Sequence, residues 1–395
     1  MIDVNERIYD IVKQNPEALE FLISNGFDNL EDDNMLESFG KKINLGTALR
    51  AKGINKDLFM QNLDAFLQSK EEYNISKDNL LIDYDSYNDV YIQGLLPCPI
   101  RIPLGDTIND YIKSENRDFK IITDLEPASV GIDEIARSLN GKNEAEYPDI
   151  ITSAGFEFFF GKRMQKLVEK GIYTKSNYEI HNEFAQKNAD LKDPKNIYHI
   201  MGVVPAVFIV NTALLGDRKV PNSWEDILSG EFENTVSIPM QDLDLFNAIV
   251  LTIYSKFGLD GIERLKKAFH KNLHPSQMVK SGKNEAVISI APYFFTTMLQ
   301  DKNSVGVWPS DGAILSPIFM IANYNKPNVV KVADALNSEK IGEIFSFGGN
   351  FPSTNPKVDN HLKENMKYMW AGWDFIYKND IEKLIKDFTM LFENL

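Results

Sequence analysis

Apolar positions recur along this chain at two spacings, and the predicted elements change where the spacing changes. From residue 1 to about 70 the spacing is helical. Ile8, Ile11 and Val12, then Leu19, Phe21, Leu22 and Ile23, mark two stripes on either side of Pro16, which suits the first turn of a second helix. Gly26 is the expected C-cap. Thr47-Ala48-Leu49, and Leu58-Phe59 with Leu63 and Leu67, add two short helices. The chain then turns polar and acidic from Lys70 to Asp89 and reads as a linker, 71–89. Beyond it, apolar blocks of strand length alternate with helical periods, the pattern of an α/β protein.

Val90–Leu96 is the first such block. PCPIRIP follows it, and its three prolines predict a rigid loop with an exposed backbone. Asp106-Thr107 is placed as the cap of a helix Ile108–Lys113, with a strand Phe119–Asp124 and a helix Ile132–Leu139 after it. Tyr147–Thr152 is a third strand, running out through Ser153-Ala154-Gly155 into a helix after Phe156. Strand-helix-strand-helix-strand at this spacing predicts right-handed crossovers and a parallel sheet.

A second lobe begins near Tyr198 with the continuous apolar strand Val203–Asn211, as a sheet covered on both faces requires. Pro221 sets a turn, and Asn222 or Ser223 can cap a short acidic helix before Gly230. Thr235–Ile238 is a strand stopped by Pro239, and Gln241-Asp242 open an apolar helix through Leu251 and Ile253. Helices Gly258–Phe269 and from His274, then strands Ala286–Ile290, Ser304–Trp308 and Ser316–Ile321, complete the lobe and return to the first. Helices at Asn328–Leu336 and Glu339–Ser346, a loop at Gly348–Pro356 and aromatic helices with Trp370 and Trp373 finish the chain. Two lobes, each with its own sheet and joined by crossing strands, should face each other across a hinged cleft.

The string P-x-S-W-x-D-I-L at Pro221–Leu228, followed by SIPM at Ser237–Met240, closely resembles type II periplasmic solute-binding proteins, nearest the iron(III) and related ABC-transporter branch. PDIITSAGFEFF (Pro148–Phe159) resembles the third strand of the same family. The likeness runs from about Val90 to about Leu384. It implies a two-lobe type II periplasmic-binding-protein fold with a central cleft, with lobes at 90–197 (plus parts of 317–395) and 198–316. IYDIVKQNPEALEFLISNGFDNL with its continuation resembles a small helical domain of unknown function, similar to modules that open iron–sulfur cluster repair proteins. A small all-α domain at 1–70 therefore precedes the α/β part. This copy has no cysteine or histidine, so any metal or thiol chemistry there would come from a partner.

Charge and cysteine content narrow the function. Fifty-seven acids against 42 bases give a net −15, which repels phosphate backbones and anionic membranes, so nucleic acid is not an expected partner. A single cysteine rules out a disulfide framework or a cysteine-based zinc cluster. No Gly-rich phosphate loop or Walker lysine is present. No apolar run stands out as a membrane span, and the amino terminus lacks the basic region, apolar core and cleavage site of an export signal. The expected location is therefore cytoplasmic, or extracytoplasmic if the start lies elsewhere.

The cleft should be lined by loops at the carboxyl ends of strands from both lobes. The candidate ligand-binding residues are Cys98, Arg101, Asp106, Thr107, Ser129, Ser153, Gly155, Gln241, Asp242, Tyr293, Asp311 and Gly312. Amides at Thr107, Gly155 and Gln241 favour an anion. Arg101 is either a clamp for a carboxylate or phosphate or half of a surface ion pair. Cys98 is a nucleophile, a ligand contact or an inert small hydrophobe. The resemblance implies adjacent tyrosine phenolates in iron-binding members, and here the pair reads Tyr293-Phe294, one phenolate short. His181, His199, His270, His274 and His361 show no metal-ligand pattern, so no metal or cofactor is expected.

Small-solute binding by cleft closure follows, ABC-transporter substrate-binding-like, as an intracellular sensor or carrier of an anionic or zwitterionic ligand. An ABC permease or a cytosolic protein docking on the helical domain is the expected partner. Two rivals stand beside it: a cofactor-biosynthesis-type enzyme using Cys98 on the same fold, and an exported transporter component.

Overall fold

The computed structural model describes residues 2–24, 27, 30, 33–52, 56, 59–60, 63, 67, 85, 87–97, 100–114, 117–127, 147–185, 189–240, 243–272, 286–299, 301–363 and 366–393. The chain separates into two compact units, 1–84 and 85–395. Nearly all of the expected linker, the Gly26 cap and the helices expected at Ile132–Leu139 and from His274 lie outside the described residues.

The smaller unit is helical. Helices α1 (Ile8–Gln14), α2 (Glu17–Ser24) and α3 (Leu45–Lys52) bury Ile8, Ile11, Leu22, Leu45 and Leu49 together with Phe59 and Leu63. Pro16 stands immediately before α2, where its missing N–H costs nothing. A helical turn at Asp33–Met35 running into Leu36–Gly40 has no counterpart in the hydrophobic pattern.

In the larger unit, ten strands lie among the described residues: β1 (Val90–Leu96), β2 (Ile121–Pro127), β3 (Ile150–Ala154), β4 (His199–Asn211), β5 (Val236–Ile238), β6 (Phe269–Asn272), β7 (Ile288–Pro292), β8 (Ser304–Val307), β9 (Ala313–Ala322) and β10 (Tyr368–Met369). They form one sheet in the order β2-β1-β3-β9-β4-β7-β5-β6, with β10 on β9 and β8 on β4. The order is a palindrome. Read inward, each half has a parallel trio, β2-β1-β3 or β6-β5-β7, closed by an antiparallel strand, β9 or β4. The closing strands pair with each other from His199↔Met320 to Ala206↔Ile314. The chain thus crosses between halves on β4 and returns on β9. No sequence repeat announces this symmetry.

Two separate sheets were expected, and the structure joins them into one because β4 and β9 are long enough to serve both halves. The cores are joined as well. Ile151, Phe156 and Phe159 of the first half share one apolar cluster with Trp224, Phe246 and Ile249 of the second. Helix α5 (Phe156–Phe160) packs there against α8 (Leu243–Ala268) and α12 (Ile381–Glu393). On that face the halves are held by packing and not divided by water. A second cluster, with Val90, Ile100, Val329 and Phe345, belongs mainly to the first half.

Two local expectations change. The loop after β1 ends early, because α4 (Arg101–Ser114) begins inside PCPIRIP. Pro103 is tolerated there since the first turn of a helix needs no amide donors. Asp106 and Thr107 therefore sit inside α4 and do not cap it. Phe269 opens the edge strand β6 and does not close a helix. The break expected within α8 is present at Gly258, whose φ of 67° and ψ of −162° are non-helical, so two helical pieces meet there at a kink. Counted across the kink, Asp244–Ala268 is apolar and long enough to cross a membrane by length and composition, and 61% of its most apolar window is buried in the fold.

Candidate functional site

The carboxyl ends of β3 and β7 point at the same short stretch of the crossing strands from opposite sides. β3 ends with Ala154 opposite Ile318 of β9, and β7 ends with Pro292 opposite Ala206 of β4. Ile318 pairs with Gly202, and Ala206 with Ile314. The two ends are thus four residues apart along β4, about 13 Å at strand rise. Between them lie Val204 paired with Ser316, and one proline in each strand, Pro205 and Pro317. Val204 is the residue of β4 that the fold leaves half-exposed.

One half meets the other at this stretch. Gly155, after β3, has φ 113°, and a Cβ there would lie 2.8 Å from an Asp244 carboxylate oxygen. Asp244 belongs to the first turn of α8, and its carbonyl accepts a 3.2 Å bond from Ser316 Oγ. The nearby serine of the expected lining, Ser153, is fully buried and donates to the Ala154 carbonyl. On the other edge, Tyr293 follows β7 at the start of a 3-10 turn, Tyr293–Met298, half-buried and edge-on to Trp308 with centroids 5.2 Å apart. Phe294 leans the opposite way, 6.4 Å from Phe351 and against the first half's core.

The nominated residues divide. Gly155 and Tyr293 lie at the meeting of the halves, and Ser153 stands beside Gly155 in β3. Arg101 opens α4, half-buried, at the carboxyl end of β1. Asp106 is exposed and Thr107 half-buried, both on the second turn of α4. Cys98, Ser129, Gln241 and Asp242 lie outside the described residues. Asp311 and Gly312 hold a different element. The Asp311 carboxylate accepts the Trp224 amide at 2.8 Å, and the Gly312 carbonyl accepts the Trp224 indole N–H at 3.0 Å. Partial burial raises the Asp311 carboxyl above its usual range, partly offset by that amide. Ser223 caps the helix α7 (Trp224–Ile227) by accepting from the Asp226 amide. Gly312, at φ 131°, is a place only glycine fits, since a Cβ would meet the Tyr368 backbone at 2.7 Å.

No group of three or more His, Cys, Asp or Glu among the described residues is placed to hold a metal. The four described histidines have separate surroundings. His199 is buried at the start of β4, its Nε2 2.9 Å from Asn337 Oδ1 and its ring 4.7 Å from that of Tyr178. Burial pulls its pKa down to about 4, against the Asn337 bond that raises it. His181 lies 3.8 Å from Glu183, His270 3.2 Å from Asn234 and His361 3.1 Å from Asp359.

Two features escaped the sequence. Asp244 is an unremarked acid two residues past Asp242, and only the fold brings it to Gly155. Asp193, in the turn before β4, accepts from the amides of Lys195, Ile197 and Tyr198 and from Tyr377 Oη, which anchors the base of the crossing strand. An Asp followed by Pro194 at a strand entrance was the available signal, one that any ordinary turn shares.

Two α/β halves in mirrored strand order, traversed twice by the chain, constitute the two-lobe type II periplasmic-binding-protein fold. Solved structures share it. They include the ferric iron-binding protein A of Mannheimia haemolytica in an open conformation (TM-score 0.54, 15% identity, 76% of this chain and 98% of that one). The Trichodesmium protein in complex with iron and citrate gives 0.56, 12%, 78% and 99%. AfuA of Actinobacillus pleuropneumoniae, with fructose-6-phosphate bound, gives 0.54, 14%, 78% and 99%. At these identities the likeness is one of fold. Residues 145–379, more than half of the chain, match the bacterial extracellular solute-binding protein family, and the chain belongs to it. Residues 2–60 match a domain of unknown function (DUF1858). No curated protein matches by sequence.

Proposed function

We propose that the larger unit binds a small anionic or zwitterionic solute where its halves meet, taking 90–197 and 198–316 as the lobes, and that lobe closure on the solute is its working step. The observation that carries this is the approach of Gly155 to Asp244 over Ser316, a contact made by residues of both halves at the strand ends. A ligand contacting both sides would favour the closed arrangement by its differential affinity. A sugar phosphate in AfuA supports an anionic group in this fold. Ferric iron, bound by other relatives, fits less well with Phe294 following Tyr293. The reading extends to an intracellular sensor or carrier that works with an ABC permease or with a cytosolic protein docked on the small helical unit.

Thermal unfolding of the full chain against a wide panel of organic anions, sugar phosphates, zwitterions and metal ions tests the binding. A true ligand at a hundred times its Kd adds about 2.7 kcal/mol. Absence of stabilisation by every class would remove the reading. Cell fractionation decides the location separately, and recovery outside the cytoplasm would overturn the intracellular part.

A further inference from the structure

Each crossing strand has an outer edge that neither parallel trio covers, and the tail of the chain fills both. On β4 that edge precedes Ala206, the first residue paired with β7. Residues 352–354 lie along it. The Val203 amide donates to the Pro352 carbonyl at 3.0 Å, and the Met201 carbonyl accepts the Thr354 amide at 3.1 Å and Ser353 Oγ at 3.4 Å. Thr354 Oγ1 donates to the Ile200 carbonyl. On β9 the open edge precedes Ile318, the first residue paired with β3. There Tyr368 and Met369 pair with Ala313 and Ile314, and the Lys367 carbonyl accepts the Ala313 amide and Trp308 Nε1, both at 2.9 Å. The two attachments stand at different levels of the β4–β9 ladder. Gly202 is level with the end of β3, in the first half, whereas Ile314 is level with the end of β7, in the second. Between the levels lie Pro205 and Pro317. Amides two residues apart on a strand face the same way, so those of 205 and 317 would face the uncovered edges, and proline has none.

From these bonds we infer that the tail, 352–369, is a strap that joins the halves a third time along the chain and restrains the bending that opens and closes them. The inference rests on the lobe-closure reading above and deepens it. Bending of β4 and β9 at the level of the two prolines moves one attachment relative to the other, and the strap has to follow. It is held against the fold along its length. Asn360 clasps the first end, donating to the Ser353 carbonyl at 2.9 Å and accepting the Ser353 amide at 2.8 Å. The Met366 amide closes a turn on the Lys363 carbonyl at 3.0 Å, and Leu362 and Met366 pack on the core that both halves share. One further turn touches both ends. The His181 amide donates to the Thr354 carbonyl at 2.6 Å, and the Phe184 ring lies 5.3 Å from that of Tyr368. A shift at one attachment is therefore carried to the other.

Hydrogen exchange of the unliganded full chain, read amide by amide, tests both ends together. Asn360→Ala loosens the first end and is expected to speed exchange of the Ala313 amide, at the second end, about tenfold, the scale of one lost hydrogen bond. Trp308→Phe removes the indole donor at the second end and is expected to speed the Val203 and Thr354 amides by about the same factor. Asn328→Ala removes a comparable side-chain bond, to the Asn88 carbonyl, away from the strap, and should leave all three amides unchanged. Spin labels at Lys113 and Leu259, exposed in the first and second halves, should report a broader spread of distances in Asn360→Ala and Trp308→Phe than in the wild type. Acceleration confined to the substituted end overturns the strap. So does acceleration shared equally by the buried Phe208 amide of β4, or an unchanged spread of distances in both variants. No solute enters this experiment, so a chain that answers none of the ligand panel and still couples its two ends would lose the solute-binding reading and keep the strap.

Discussion

The two halves of the larger unit follow one backbone plan and hold it by different means. The second half is braced by a ring system. Trp224 is fully buried, stands edge-on to Phe208 at 4.9 Å, and ties α7 to the Asp311-Gly312 corner before β9. The first half is braced by charge. Lys326 reaches Asp149 at 2.8 Å and the Asp89 carbonyl at 2.9 Å, while Asp149 also accepts the Tyr91 amide. An apolar brace gains from area and contact and needs little partner geometry. A buried ion pair offsets its desolvation only while both members are present. Equivalent topology therefore does not mean equivalent sensitivity to substitution.

The largest effect expected is from Trp224→Ala, which leaves a cavity and an unpaired Gly312 carbonyl and should cost about 4 kcal/mol in chemical denaturation. Because sheet and core are continuous, the loss should appear as a shift of one transition for the whole larger unit. Two separated transitions would show that the halves unfold independently. Lys326→Met removes the cation from the buried Asp149 carboxylate and should cost about 3 kcal/mol through that same transition.

Acid should weaken the base of β4 through His199. Its folded pKa, about 4, lies below the ordinary value near 6.5, so the unfolded chain binds the proton first. The contribution is whole above pH 6.5 and is lost as the pH falls toward 4, on the order of 3 kcal/mol across that window. The groups facing the ring, Asn337 and Tyr178, do not supply a compensating charge. His199→Gln should flatten this slope in denaturation curves between pH 4 and 7, and an unchanged slope would remove His199 as its cause. Smallest is Ser223→Ala, which removes the cap of α7 and should cost about 1 kcal/mol by the same measurement, leaving solute binding unchanged.

Much of the fold was readable from the hydrophobic pattern. β1, β3, β4, β7 and β9 fall on mainly apolar blocks of strand length, as strands covered on both faces require, and β5 falls on the short alternating Thr235–Ile238. The short edge strands β6 and β10 did not show, since four and two residues carry too little period to separate them from their flanks. The start of α4 was misread because prolines signal a loop by default, although a helix tolerates them in its first turn. Of the candidate lining, Gly155 and Tyr293, nominated from strand ends, lie where the halves meet. Asp311 and Gly312, nominated on the same local signal, hold Trp224.

Alternating apolar blocks and turn residues determined an α/β class and the order of its elements, since both are set by period and local backbone preference, while the two-lobe form was what the family resemblance of the Pro-x-Ser-Trp string implied. Which acid faces which glycine, and whether the sheets join, were settled only by tertiary structure. Those relations depend on the register between β4 and β9, a pairing of residues more than a hundred positions apart that no local spacing encodes.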